Sequence, residues 1–381
     1  MTTIDRPRLV AKFIDKPVLR EDGRLVYALL TAFALKGYRI TLIENRDFRQ
    51  IGPLGPMIYN IEGLEPAATI HGNTAEMLYL FDVEDGFLSR QRWKKKIHLK
   101  FDVFSNYAWA SYRGNEPVLL PYPMHPWNYG GDLARRLEAA RRNEKKVRVF
   151  FSGDTNGYKR NRILYPRPKL TRVQVIDAIL NHRSPDLLLI EDKATLDDAL
   201  NGGYKKRCAI VDMSKVFVED WLNNLSKADF FLCPPGYVMP MCHNTVEAMA
   251  VGTVPIINYP EWFRPSLRHM ETCIAFNDES DLIAKINDVL GMDSEAIARM
   301  RRNVIDYYER HLDPTVFVKE IEARDRANVT VLMITDLCTV NDAPKLNRNS
   351  FLIRDNPIDR SAGLRGLLSA MLRDRRDLPE A

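Results

Sequence analysis

Between residues 233 and 257 the chain reads CPPGYVMPMCHNTVEAMAVGTVPII, directly after an apolar run, ADFFL. Two prolines and a glycine break the chain, NTVEAMAV follows with helical spacing, Gly252 suits the position just past a helix, and TVPII closes the stretch as a second strand-like run. A strand that opens through such a loop into a helix brings the unbonded N–H groups and the positive dipole end of that helix to the strand's carboxyl end, which makes an anion site. Pro235 and Gly236 would line its approach, and His243, Asn244 and Thr245 would lie at its start. A carboxylate at Glu247 would repel a phosphate beside it but accept hydrogen bonds from the two hydroxyls of a ribose slightly further on. Helix start and carboxylate together therefore suit a nucleotide better than a bare phosphate. The plainer reading of the same spacing is a capping box, with Asn244 as the cap and Glu247 returning to the cap N–H. On spacing alone the two readings stand level.

A second stretch, FFSGDTNGYKRNRI (150–163), ends an apolar run in Ser152 and Gly153 and then carries Lys159, Arg160 and Arg162. Small residues permit close backbone approach, and the three cations could neutralise a diphosphate. An ordinary solvated loop is the alternative. Several familiar chemistries are excluded. No G-x-G-x-x-G follows a strand, and there is no G-x-x-x-x-G-K-[ST], H-E-x-x-H or G-x-S-x-G. No D-x-D closes a strand, so no metal-held diphosphate site is expected.

The elements that would position these residues alternate along the chain. In the first part, RLVAKFI reads as a strand, GRLVYALLTAFALKGY as a helix capped by Gly37, and RITLIEN as the next strand, a β-α-β unit that calls for a parallel sheet. AATIH, MLYLFD and PVLLPY are further strand candidates. LPYPMHPWNYGGD (120–132) has the prolines and glycines of a linker or hinge. A charged helix follows, then a second series: strand VRVFFSG, helix VQVIDAIL, strand DLLLIED, helix KVFVEDWLNNLSKA, strand DFFLC, helix NTVEAMAV and strand TVPIIN. A helix over 293–312 precedes Pro314, and beyond it lie one strand-like run, VTVLMIT, and a basic final helix, GLRGLLSAMLRDRR. The expected organisation is an α/β domain over 1–122, a linker and charged helix over 123–146, a second α/β domain over 147–313 and an extension over 314–381. Open parallel sheets bind ligands at their strands' carboxyl ends, and domain interfaces favour pockets.

Composition agrees with a two-domain globular protein. The chain has 381 residues, 45% of them apolar and 28% charged, with a net charge of +5 that permits an anionic ligand without announcing nucleic acid. Five scattered cysteines form no C-x-x-C pair, so neither zinc nor a disulfide framework is indicated, and reduced cytosolic thiols are the simplest reading. The charged start, MTTIDRPRLVAKF, lacks the apolar core of a signal peptide, and no run of 18 apolar residues occurs.

ADFFLCPPG…CHNTVEAMAVGTVPII resembles the donor-site signature of GT-B glycosyltransferases, closest to the exostosin-like group, in which a strand ending in C-P-x-G leads to E-A-x-x-x-G-x-x-P-V-I. FSGDTNGYKRNRI resembles that group's F-x-G segment followed by G-x-x-R. The likeness is specific over about 147–260 and only architectural over 1–130. It departs where the group has Ser-x-Arg, since His243, Asn244 and Thr245 stand there and the arginine is missing. The resemblance implies two Rossmann-like domains facing a cleft (GT-B), with the C-terminal extension beyond. It implies metal-independent sugar transfer from a nucleotide-sugar co-substrate to a glycan or lipid-linked acceptor, with no other cofactor and no nucleic acid. It moves Glu247 towards a ribose contact. Acceptor contacts and any base would come from the first domain or the hinge: Asp15 foremost, then Asp82, Glu84, Asp85 and His125. A nucleotide-sugar epimerase or phosphorylase on the same fold, or a non-catalytic nucleotide-sugar sensor, are the alternatives.

The helix DLARRLEAARRNEKKVR carries seven Lys and Arg against three acids, and the final helix sets Leu and Met beside four arginines. Such faces can hold a protein to anionic lipid. A cytoplasmic protein with peripheral contact at the inner face of a membrane is the corresponding expectation, against the plainer reading of solvated helix faces.

Overall fold

The computed structural model describes residues 6–14, 23–43, 47–100, 117–155, 170–182, 184–203, 207–236 and 239–334. Asp15, Lys159, Arg160, Arg162, Cys338 and the expected final helix lie outside the described residues. The chain divides into two units. One takes the described residues up to Pro121 together with those from Phe317 onward, and the other is Tyr122–Val316.

The first unit is built on a seven-stranded parallel sheet. In chain order its strands are β1 Arg8–Lys12, β2 Arg39–Ile43, β3 Leu64–Ala67, β4 Leu78–Phe81, β5 Lys95–Lys100, β6 Val118–Leu119 and, from the far end of the chain, β13 Asn328–Leu332. Their order across the sheet is β3-β2-β1-β4-β5-β13-β6. Helix α1, Arg24–Leu35, connects β1 to β2 with Leu25 to Phe33 buried. It ends as its sequence predicts. Gly37 has φ +82°, its N–H donates to Ala34 O (2.8 Å), and Tyr38 N–H donates to Phe33 O (3.1 Å). The Phe33 and Tyr38 rings meet edge to face at 5.4 Å, the apolar contact that goes with this type of helix end.

Two expectations for this unit are corrected. The third strand is Leu64–Ala67, paired with Ile40 to Ile43, so AATIH supplies only its last residue. Of the extension expected over 314–381, the described residues 317–334 belong to the first unit, because β13 is an inner strand between β5 and β6. β5 itself, KKIHLK, does not read as a strand, because a lysine stands where an apolar residue should face the core. Lys95 is buried, and its ammonium donates to Ile321 O (2.6 Å), Glu322 O (3.1 Å) and Arg324 O (2.5 Å). A buried cation survives when carbonyls replace its hydration, and here it satisfies a helix end as well. Tyr38 OH donates to Glu322 Oε1 at 2.7 Å and Phe33 meets Phe317 edge to face, so this segment is tied to α1 too.

The second unit has a six-stranded parallel sheet of β7 Val147–Gly153, β8 Leu187–Ile190, β9 Cys208–Asp212, β10 Ala228–Leu232, β11 Val254–Ile257 and β12 Ile274–Ala275. Their order is β12-β11-β10-β7-β9-β8. Its helices are α2 Leu133–Arg141, α3 Arg172–His182, α4 Lys193–Asp198, α5 Trp221–Leu225, α6 His243–Ala250, α7 Glu279–Gly291 and α8 Ser294–Tyr307, and α9 Pro314–Ala323 contains the boundary between the units. Every residue of β7 is buried, as expected for a central parallel strand covered on both faces. Its one charge, Arg148, pairs with Asp229 of β10 at 3.3 Å.

The predicted helix over KVFVEDWLNNLSKA shrinks to α5. Asp220 adopts φ +42° directly before it, and Val216 and Val218 are buried in alternation with exposed neighbours rather than at helical spacing. Residues 122–132 are not a bare linker. They belong to the second unit and bury Tyr122, Met124, Asn128 and Tyr129. The basic stretch 132–148 is largely consumed by the fold. Arg136 donates to Asn128 O and Gly130 O, Arg141 to Ala250 O and Glu309, Lys145 to Ser226 O, and Lys146 to Glu144. Among the described residues no helix is long and apolar enough to cross a membrane.

Candidate functional site

The strand order of the second sheet reverses at β7. From there the chain moves to one side for β8 and β9, then crosses to the other for β10, β11 and β12. A parallel sheet is open to a ligand outside the carboxyl ends of the two strands at such a reversal. Ser152 and Gly153 end β7, and Cys233, Pro234, Pro235 and Gly236 follow β10. The two stretches singled out in the sequence thus meet at one point. Asn244 Nδ2 donates to Ser152 O at 3.4 Å and connects them directly. Ser152 is fully buried, and its hydroxyl has no hydrogen-bond partner among the described residues.

The loop into α6 is shaped by Gly236. A Cβ there would stand 2.7 Å from Met239 O and 2.8 Å from Met241 O, closer than any side chain can approach backbone. Gly236 N–H donates to Pro240 O (2.9 Å), and Arg172, the first residue of α3, grips the loop at both ends. Its buried guanidinium donates through Nε to Pro235 O (3.3 Å) and through Nη2 to Cys242 Sγ (3.8 Å). Arg172 has no forewarning in sequence beyond Thr171-x-x-Gln174, a capping box that does form, with Thr171 N–H on Gln174 Oε1 (3.0 Å) and Gln174 N–H on Thr171 Oγ1 (3.4 Å).

The capping box at Asn244 and Glu247 does not form. The residue before the helix is Cys242, without a side-chain cap, so His243, Asn244 and Thr245 are the first three helical residues and Glu247 lies a turn deeper. Thr245 Oγ1 meets Tyr259 OH at 2.9 Å, both buried. α6 ends as expected at Gly252, φ +74°, with Gly252 N–H on Met249 O (3.1 Å) and Thr253 N–H on Ala248 O (2.8 Å).

Glu247 is 1% exposed and gathers three donors. Oε1 accepts from His125 N–H and from Asn128 Nδ2, each at 2.8 Å, and Oε2 accepts from Trp221 Nε1 at 2.6 Å. These bonds bring the Pro-rich stretch 122–132 to α6. His125 therefore belongs with this site and not with the first unit's candidates. Its ring lies 5.2 Å from that of His243 and 4.6 Å from that of Trp127, centroid to centroid, and its Nδ1 accepts from Trp127 N–H at 3.4 Å. Trp127 and Trp221 are residues the sequence reading missed. Burial pushes the Cys233 thiol up, beneath the loop. Among the described residues no three His, Cys, Asp or Glu side chains are grouped to hold a metal ion.

Two of the first unit's candidate acids, Asp82 and Asp85, are engaged within that unit. Asp82 accepts from Ile14 N–H at 2.8 and 3.1 Å and from Val83 N–H at 2.8 Å. Asp85 pairs with Lys12 at 2.7 Å and accepts from Phe87 and Leu88 N–H. The Lys12 ammonium, with the Leu88 N–H next, holds the Asp85 carboxyl down at about 2.

No family model matches the chain, and no curated protein does either. Solved structures resemble it at low identity. The Anabaena protein HepE in complex with UDP and glucose is 12% identical, with a TM-score of 0.41 over 82% of this chain and 98% of that one. A glycosyltransferase from Rickettsia africae ESF-5 is 9% identical, with a TM-score of 0.44 over 83% and 97%. WaaG, a glycosyltransferase involved in lipopolysaccharide biosynthesis, is 12% identical, with a TM-score of 0.36 over 83% and 98%.

Proposed function

We propose that this chain is a metal-independent glycosyltransferase of the GT-B type, moving a sugar from a nucleotide-sugar donor held in the second unit to a glycan or lipid-linked acceptor. The observation that carries this reading is the meeting of Ser152, Gly153, Pro235, Gly236 and the first turn of α6 where the strand order reverses, with the Glu247 carboxylate one turn behind. In transfer, the bond from the sugar's anomeric carbon to the diphosphate breaks and one to an acceptor oxygen forms. The acceptor's proton passes to a base, and the electron pair leaves with the diphosphate. Backbone N–H groups of His243, Asn244 and Thr245, with Lys159, Arg160 and Arg162, would stabilise that leaving group by preorganised charge. A ribose hydroxyl would share Glu247 with the donors already on it. His125, beside His243, and Asp15 are the candidates for the base. The exostosin-like affinity rests on the residues of 147–260 alone.

The test is direct. The full chain is titrated calorimetrically with UDP, GDP, TDP and ADP and incubated with the corresponding nucleotide sugars, with and without chelator. Binding of one diphosphate, and its slow release from the matching nucleotide sugar in chelator, are expected. Glu247→Gln should weaken that binding at least tenfold. A chain that binds none of these diphosphates would overturn the reading. Binding without release would make it a sensor, and release of free sugar with inverted configuration an epimerase. Cytoplasmic, peripheral membrane placement is proposed from the basic composition of 363–376, since the cations of 132–148 are largely engaged within the fold. Sedimentation with anionic vesicles must then fall as salt rises.

A further inference from the structure

Trp127 is 67% exposed, yet the loop that carries it is fixed far more firmly than a surface turn requires. Its neighbours Pro126, Asn128 and Tyr129 are buried. Glu247 holds His125 N–H and Asn128 Nδ2, Arg136 Nη1 holds Asn128 O (3.1 Å) and Gly130 O (2.7 Å), and Tyr129 OH accepts from Met124 N–H (3.1 Å). Hydrogen bonds reaching from α2 and α6 thus converge on a turn whose one large outward side chain is an indole. Leaving that indole in water forgoes the burial that normally rewards a tryptophan.

Its position follows from the rings beneath it. His243 is the first residue of α6, His125 lies against it, and Trp127 lies against His125. The three rings lead from the start of α6 outward. A diphosphate at that helix start carries its sugar on the outer phosphate, on the side away from the ribose. Sugar rings present a face of C–H bonds that packs on an aromatic face, and a platform already held rigid loses little freedom on binding.

We infer that Trp127 is the platform on which the sugar of the donor stacks, and that Arg136 acts on it as a positioning residue by fixing its loop. This rests on the donor reading above. The test separates sugar from nucleotide in the full chain. Affinities are measured for UDP against UDP-glucose and for GDP against GDP-mannose, in the wild type, Trp127→Ala and Trp127→Phe. Trp127→Ala should weaken the bound nucleotide sugar about five- to tenfold and its diphosphate less than twofold, with an unchanged melting temperature because the side chain is exposed. Trp127→Phe should restore most of the loss. Arg136→Met, which releases the carbonyls of Asn128 and Gly130 without touching Glu247, should show the same split, which a merely structural role would not produce. Equal weakening of sugar and diphosphate forms, or no weakening of either, overturns the inference while leaving the donor reading intact. A wild type that binds no nucleotide at all removes both.

Discussion

Each sheet has a strand-order reversal, between β1 and β4 in the first unit and between β7 and β10 in the second, and each of these reversals has a buried carboxylate beside it. Asp82 uses both oxygens on nearby backbone, closing the chain after β1 against the end of β4. Glu247 uses its oxygens on His125, Asn128 and Trp221, none of which is its sequence neighbour. The first carboxylate ends two strands. The second assembles a wall of histidines and tryptophans at a helix start, beside a buried serine hydroxyl without a partner among the described residues. A buried acid at a strand end is therefore not by itself a functional signal, and what it organises around itself distinguishes the two.

The strongest attempt to break this contrast is Asp82→Ala. Charge-assisted hydrogen bonds from two backbone N–H groups, those of Ile14 and Val83, would be lost and both left without this acceptor, so unfolding free energy should drop by about 3 kcal/mol while diphosphate affinity stays unchanged. Denaturant unfolding and calorimetry read the two quantities. Affinity lost at unchanged stability would make the first strand end a ligand site after all.

Gly236→Ala should cost about 2 kcal/mol, since its Cβ meets two backbone carbonyls, and it should abolish diphosphate binding because the loop into α6 must shift. Retained binding would detach the loop from the site.

A pH-dependent effect sharpens the electrostatics of the second unit. Lys145 donates to Ser226 O, and burial, then Arg301, push its ammonium down to about 7 against an ordinary 10.5, with Asp229 opposing. The folded chain therefore releases a proton that the unfolded chain keeps. Stability should rise from about pH 7 towards the unfolded value near 10.5 and be flat in this respect below 7. Urea midpoints across pH 6 to 9.5 should show that slope, and Lys145→Met should remove it.

The smallest effect concerns Asp85. Its carboxyl is depressed, so the stability it adds is present above about pH 4 and lost as pH falls through about 2. The pair with Lys12 is partly exposed, so Lys12→Met should cost less than about 1 kcal/mol and should flatten the acid limb of the unfolding curve.

Much of the second sheet was legible because central parallel strands are apolar throughout. VRVFFSG, DFFLC and TVPII announce themselves in this way, and the close of α1 at Gly37 and of α6 at Gly252 follows from the one residue type at ease with positive φ. These features depend on residues adjacent in the chain, so the order of side chains alone determines them. The elements that escaped depend on distant partners. β5 is hidden by Lys95 until the carbonyls of 321, 322 and 324 are beside it, and β13 reads as a strand in sequence without revealing that it completes the first sheet. At the site, spacing selected Ser152, Gly236, His243 and Glu247 but left Glu247 level between a cap and a ligand contact. The tertiary structure removed the cap by starting α6 at His243, and it joined Glu247 to residues 119 and 122 positions away. A carboxylate's donors are chosen by proximity in space, and no pattern of neighbouring residues encodes which loop will arrive there.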